Sequence, residues 1–239
     1  MFKGSCVALV TPMTQDNALD LDAFSHLVKW HLSQGTRAIV IGGTTGEAPT
    51  LTDTERDTLI ERALSIVKQS DHAIPVIAGT GSNCTEQTIK DTQRAKELGC
   101  DGALIVTPYY NKPTQEGLYL HYKKIAESVD LPIILYNVPH RTGCDLSAQT
   151  TSRLSFVPNI VGIKDATADL TRIKIYQKEA QPGFKLYTGD DESAMNFMAL
   201  GGEGVISVAA NVTPKAMQEL CLAVFENDLI NADEINRSL

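Results

Sequence analysis

Apolar positions along this chain are gathered into short runs rich in Val and Ile, each closed by glycine, proline or polar residues. These runs are "SCVALVTP", "RAIVIGG", "AIPVIAGT", "GALIVTP", "LPIILYNVP", "IVGIKDAT", "KLYTGDD" and "GVISVAAN". Because they stay apolar at consecutive positions, they predict strands buried on both faces, as in a parallel sheet. The segments between them carry the longer helical period. In "TDTERDTLIERALSIVKQ", Thr52 and Glu55 have the spacing of a capping box, and Leu59, Ile60, Ala63 and Val67 share one face. Eight strand and helix pairs in 239 residues predict a (β/α)8 (TIM) barrel. An open doubly wound sheet is the alternative for the same alternation.

No linker, low-complexity tract or internal repeat interrupts the pattern, so one catalytic barrel is expected over residues 1–226. From Thr213 the period is helical, with Met217, Leu220, Ala223 and Val224 on one face. Leu229, Ile230, Ile235 and Leu239 continue it without a Gly or Pro stop, and residues 227–239 are read as the start of a C-terminal helical region.

In a parallel barrel the reactive side chains come from the carboxyl ends of the strands. Here those ends offer Thr44 and Thr45 in "GGTTGE", Tyr109 and Tyr110 in "VTPYYN", Tyr136 and Asn137 in "LYNVP", Lys164 in "GIKDAT", and Gly189 with Asp190 in "YTGDD". Lys164 stands out because it follows an apolar run. Strict alternation places it with Gly162 on one face, opposite Val161 and Ile163, and gives Gly162 the role of leaving space beside the amine. A lysine among apolar neighbours loses solvation of its charged form, so more of it is the neutral amine that attacks a carbonyl. This is the requirement of Schiff-base chemistry. The competing reading is a lysine that leans out to pair with Asp165. Tyr136 closes the neighbouring strand and is placed to relay protons during dehydration of a carbinolamine, unless it is only a strand-end aromatic packed on a loop. The hydroxyls and amides of "GGTTGE" suit a carboxylate, although an ordinary glycine-rich turn would look the same. Arg141, just beyond the fifth strand, can grip a carboxylate with two nitrogens or simply be solvated.

Composition narrows the partners. A formal charge of −8 offers no footprint for a phosphate backbone, so nucleic acid is not an expected partner. The run in "MFKGSCVALVTPM" is too short to span a membrane and lacks a signal cleavage pattern, so no membrane association is expected. Five scattered cysteines without a C-x-x-C pair fit reduced thiols in a cytoplasmic protein. They show no metal-ligand spacing with the five histidines, and no metal or cofactor is expected. "GTGSN" is not a dinucleotide fingerprint.

With these residues in place, the chain resembles the dihydrodipicolinate synthase family of Schiff-base aldolases and lyases. The resemblance runs in order through "GSCVALVTPM", "GGTTGEAPTL", "PVIAGTGSN", "VTPYYNKPTQEGLY", "LYNVPHRTGCDL", "GIKDAT", "GDD" and "GVISVAAN". It implies that Lys164 forms an imine with pyruvate and that the enamine attacks L-aspartate 4-semialdehyde, in lysine and diaminopimelate biosynthesis, without a cofactor. It further implies that Tyr136, Thr44 and Tyr110 form a proton relay, with Tyr110 reaching in from a neighbouring subunit. Thr45 would bind the pyruvate carboxylate and Arg141 the second substrate, while Gly189 and Ile206 would line the pyruvate pocket. Members usually continue into a helical C-terminal region that contributes to subunit contacts; with that region present the resemblance implies a homotetramer, a dimer of dimers, and without it the assembly is not expected to be secure. Asp165 stands where Glu is often found, a change expected to be tolerated.

Many members are inhibited by L-lysine in a crevice between subunits. The resemblance places that site at Ala48, Pro49, Asp53, Arg56, Asn83, Gln87 and Tyr109. In the inhibited bacterial pattern the Ala48 position is Ser, those of Asp53 and Arg56 are His, and that of Gln87 is Glu. A neutral Gln87 and a cationic Arg56 predict weak lysine inhibition, with an inward-turned Asp53 as a compensating anion. Two other functions share parts of this pattern. Sister aldolases acting on sialic or 2-keto-3-deoxy sugar acids share Lys164, Tyr136 and the threonine loop, but not "HRTGCDL". A binding barrel without turnover would have no use for the relay.

Overall fold

A computed structural model describes residues 1–239 and contains eight parallel strands closed into a barrel in chain order. The strands are β1 Gly4–Ala8, β2 Ala38–Ile41, β3 Val76–Gly79, β4 Gly102–Val106, β5 Ile133–Asn137, β6 Ile160–Asp165, β7 Lys185–Thr188 and β8 Gly204–Ser207. Each coincides with one of the apolar runs, and the doubly wound alternative is excluded by the pairing of β1 with β8.

The main helices are α1 Leu21–Ser33, α2 Asp53–Lys68, α3 Thr85–Leu98, α4 Gln115–Ser128, the short α5 Pro139–Thr142, α6 Ala148–Leu154, α7 Thr171–Glu179, α8 Ala194–Ala199, α9 Pro214–Phe225 and α10 Leu229–Ser238. Helix α2 starts where the sequence predicts: Thr52 caps the Glu55 amide and Glu55 returns a bond to the Thr52 amide. Its predicted apolar face, Leu59 to Val67, is buried against the barrel. The C-terminal helical pattern is not continuous. Asn227 adopts a left-handed φ of 61°, which ends α9, and the Asp228 side chain accepts from the Asn231 amide to start α10. Ala232 is the buried contact of α10, whereas Ile230 is 80% exposed.

Apolar packing separates into two layers. The larger lies between strands and helices, and the smaller fills the barrel, where Cys6, Val40, Ile77, Leu104, Ile134 and Ile206 meet. The ring of Phe2 stacks on Tyr187 at 4.4 Å, and the Tyr187 phenol donates to the Phe2 carbonyl at 2.8 Å. These contacts pack the amino-terminal side, so the open end is the carboxyl mouth. No helix is long and apolar enough to cross a membrane.

Candidate active site

Strand β6 departs from strict alternation. Ile133 of β5 pairs with Ile160, but Ile134 pairs with Gly162, so Val161 is an extra residue in a bulge. Val161 packs toward the interior cluster instead of opposing it. The space assigned to Gly162 is elsewhere too: a Cβ there would lie 2.6 Å from the Lys185 carbonyl of β7, and its three nearest atoms all belong to Lys185. Gly162 therefore allows β7 to approach, and the glycine beside the lysine is Gly189. A Cβ at Gly189 would stand 2.5 Å from Lys164 Cε and 2.9 Å from Ala166 Cβ.

Beyond the bulge Ile163 faces the helices and Lys164 the barrel, only 4% exposed. Its Nζ lies over the Tyr136 ring, 4.3 Å from the centroid, and has no carboxylate within ion-pair distance. Burial brings its pKa down to about 8; the Arg141 charge acts in the same direction and Cys6 and Asp191 against it. Asp165 does not pair with the lysine. It is buried behind the strand and accepts from the Tyr176 phenol at 2.6 Å and from the Thr167 hydroxyl at 2.7 Å.

Tyr136 is opposite Lys164 in the strand register and 6% exposed. Burial raises its pKa, against the opposing effects of a Thr44 hydrogen bond and the Arg141 charge, so the phenol keeps its proton near neutrality. Thr44, Tyr136 and Arg141 share a cavity of about 570 Å³ at the mouth. The Arg141 guanidinium is exposed and has no ionic partner, which leaves both edges of its fork available. Thr45 is half-buried beside Thr44, and Ile206 is wholly buried in the barrel interior. Tyr110 does not join them. Its backbone is left-handed, with φ 76°, its amide donates to the Thr142 carbonyl at 3.2 Å, and its side chain is 87% exposed.

The same cavity extends to Ala48, Pro49, Asp53, Arg56, Gln87 and Tyr109. Asn83 holds the rim by donating to the Tyr109 carbonyl at 3.2 Å. The Arg56 guanidinium is engaged by carboxylates on both sides. Arg56 Nη2 contacts Asp53 Oδ1 at 2.6 Å and Asp91 Oδ1 at 3.1 Å, and Gln87 donates to the same Asp91 oxygen at 3.0 Å. Asp91 escaped sequence reasoning because it sits one helix away and closes no apolar run. Asp191 was also missed: its Oδ2 accepts from the Val208 and Ala209 amides, and its charge is felt by Lys164.

A barrel with a desolvated lysine against a protonated phenol at its carboxyl mouth defines a lyase of the class that works through a lysine imine. The dihydrodipicolinate synthetase family model matches residues 1–239. The 4-hydroxy-tetrahydrodipicolinate synthase of Thiobacillus denitrificans is 55% identical over 99% of this chain and 79% of its own length. That of Methylococcus capsulatus is 53% identical over 100% of this chain and 81% of its own. Among solved structures, the chloride-inhibited dihydrodipicolinate synthase of Acinetobacter baumannii in complex with pyruvate has a TM-score of 0.95 at 51% identity, covering 99% of this chain and 80% of that one. A monomeric dihydrodipicolinate synthase variant also has a TM-score of 0.95, at 44% identity and with 99% and 79% coverage. This chain belongs to the dihydrodipicolinate synthetase family.

Proposed function

We propose that the chain joins pyruvate to L-aspartate 4-semialdehyde, the 4-hydroxy-tetrahydrodipicolinate synthase reaction, with Lys164 as nucleophile. The observation that carries this reading is the buried Lys164 amine held over the Tyr136 ring. The neutral amine adds to the pyruvate keto carbon, and loss of water, with protons moved through Tyr136 and Thr44, gives the imine. Removal of a methyl proton yields the enamine. Its carbon attacks the aldehyde carbon of the second substrate, whose carboxylate rests on Arg141, and the new alkoxide takes up a proton. The substrate's own amine then displaces Lys164 from the imine carbon, closing the ring and freeing the enzyme. Thr45 holds the pyruvate carboxylate, and Gly189 and Ile206 bound the pocket. Five unpaired cysteines fit action in the cytoplasm.

A coupled assay tests the reading against the sugar-acid aldolases. Turnover with pyruvate and L-aspartate 4-semialdehyde, and none in cleaving sialic or 2-keto-3-deoxy sugar acids, is the expected result; the reverse pattern rejects it.

The exposed Tyr110 is the third relay member, supplied to a neighbouring copy in a homotetramer built as a dimer of dimers. Mixing Tyr110→Phe with Lys164→Ala protein should therefore regain activity, since a hybrid pair contains one site with both intact groups. Hybrids that form and stay inactive reject supply in trans.

L-Lysine is expected to inhibit weakly or not at all. Arg56 already engages one oxygen each of Asp53 and Asp91, which offsets the charge they offer an ammonium, and Gln87 is neutral. Losing one charge-assisted hydrogen bond costs about 1.5–3 kcal/mol, roughly ten- to hundredfold in affinity. Titrating L-lysine at saturating substrates checks this, and strong inhibition well below millimolar contradicts it.

A further inference from the structure

Tyr136 and Lys164 face the mouth, and the residues that follow them, Asn137 and Asp165, form the next pair of the same register and are buried behind it. Asn137 binds the far leg of the loop that carries Arg141: its amide donates to Asp145 Oδ1 at 2.8 Å, and its carbonyl accepts from the Leu146 amide at 2.9 Å. Arg172 of α7 grips the same leg from the other side. Its Nη2 donates to Asp145 Oδ2 at 2.6 Å and its Nη1 to the Leu146 carbonyl at 3.0 Å, while Nη1 lies 3.8 Å from Asp165 Oδ2. One guanidinium thus spans the Arg141 loop and the strand end that carries Lys164.

We propose that Arg172 is a positioning residue for the second substrate, acting through Arg141; this rests on the role given to Arg141 above. Arg141 has no ionic partner, so only its loop decides where its fork stands. Lys164 is held differently. Strand pairing fixes it on both sides, and Asp165 keeps its bonds to Tyr176 and Thr167 without Arg172. Loss of Arg172 therefore removes one of the two grips on the far leg of the Arg141 loop, leaving Asn137 to hold it, and spares the lysine.

The test compares Arg172→Ala, Arg172→Lys, Arg141→Ala and the double alanine variant, in borohydride trapping of pyruvate and in steady-state condensation. Arg172→Ala should trap pyruvate as the wild type does but show a KM for L-aspartate 4-semialdehyde about tenfold or more higher, the loss expected for one charged contact. Arg172→Lys keeps the charge without the fork and should give a smaller rise. The double variant should be no worse than Arg141→Ala, because both changes act on one contact. Should Arg172→Ala not fold, Arg172→Lys decides alone: a raised KM with normal trapping supports the inference, and a wild-type KM overturns it. Lost trapping, or losses that multiply in the double variant, also overturns it. A wild-type KM in Arg141→Ala overturns the role of Arg141 and this inference together, whereas a raised KM there with wild-type values in the Arg172 variants overturns this inference alone.

Discussion

Lys164→Ala is expected to abolish both condensation and borohydride trapping of pyruvate, while the wild-type protein is trapped at Lys164 and at no other lysine. The expectation rests on protonation. At pH 7 a lysine of ordinary pKa is neutral in about one molecule in 2,500, whereas a group with a pKa near 8 is neutral in about one in ten. Burial thus supplies roughly a 250-fold larger fraction of attacking amine at Lys164. The direction with pH follows from the same shift. Protonation removes the nucleophile, so kcat/KM for pyruvate should climb as pH rises and level off above about 8, provided imine formation limits the rate. Peptide mapping of the reduced adduct checks the site. Label on another lysine, or label persisting in Lys164→Ala, would reject the assignment.

Gly189→Ala is expected to remove most activity and leave the fold standing. The added methyl would lie 2.5 Å from Lys164 Cε, inside any real contact distance. The nearest atom is near the end of a flexible side chain and can swing aside, whereas the Ala166 Cβ, 2.9 Å from the added methyl, moves only with its backbone, so the lysine takes the larger displacement and the strand end a small one. Folding then loses some stability but the chemistry loses more, because a misplacement of about 1 Å at a reacting atom costs on the order of a hundredfold. Gly162→Ala is the contrast. There the added carbon meets the backbone carbonyl of Lys185, which cannot swing away, and the damage should appear as lowered thermal stability. Circular dichroism melts beside pyruvate trapping separate the two. Wild-type trapping in Gly189→Ala would dismiss the steric account.

The strands were legible because parallel strands are apolar on both faces, and each run kept that signature to its closing glycine, proline or polar residue. Lys164 was legible for the opposite reason, as a charge where the pattern calls for a greasy residue. What escaped was whatever depends on two distant segments meeting. Arg172 and Asp145 are 27 positions apart, and Arg56 and Asp91 are 35; nothing local at either end announces the other. The Val161 bulge was hidden because an extra apolar residue in an apolar run leaves no mark on periodicity. Gly162 and Gly189 were confused for a related reason, since proximity along the chain stood in for proximity in space.

That bulge makes strand β6 a matter of parity. Side chains alternate in twos, and Val161 is the odd member that lets Ile160 face the helices while Lys164 faces the mouth. Removing one residue between Ile160 and Lys164 would close the bulge and return that stretch to strict alternation, with Ile160 still toward the helices and the amine still toward the mouth. Removing a second, if the pairing at the start of the strand held, would set the lysine opposite Leu135, turned toward the helical shell, and bring Asp165 to the mouth in its place. The bulge is thus the strand's spare residue: a first loss is absorbed there, and only the next reverses the lysine.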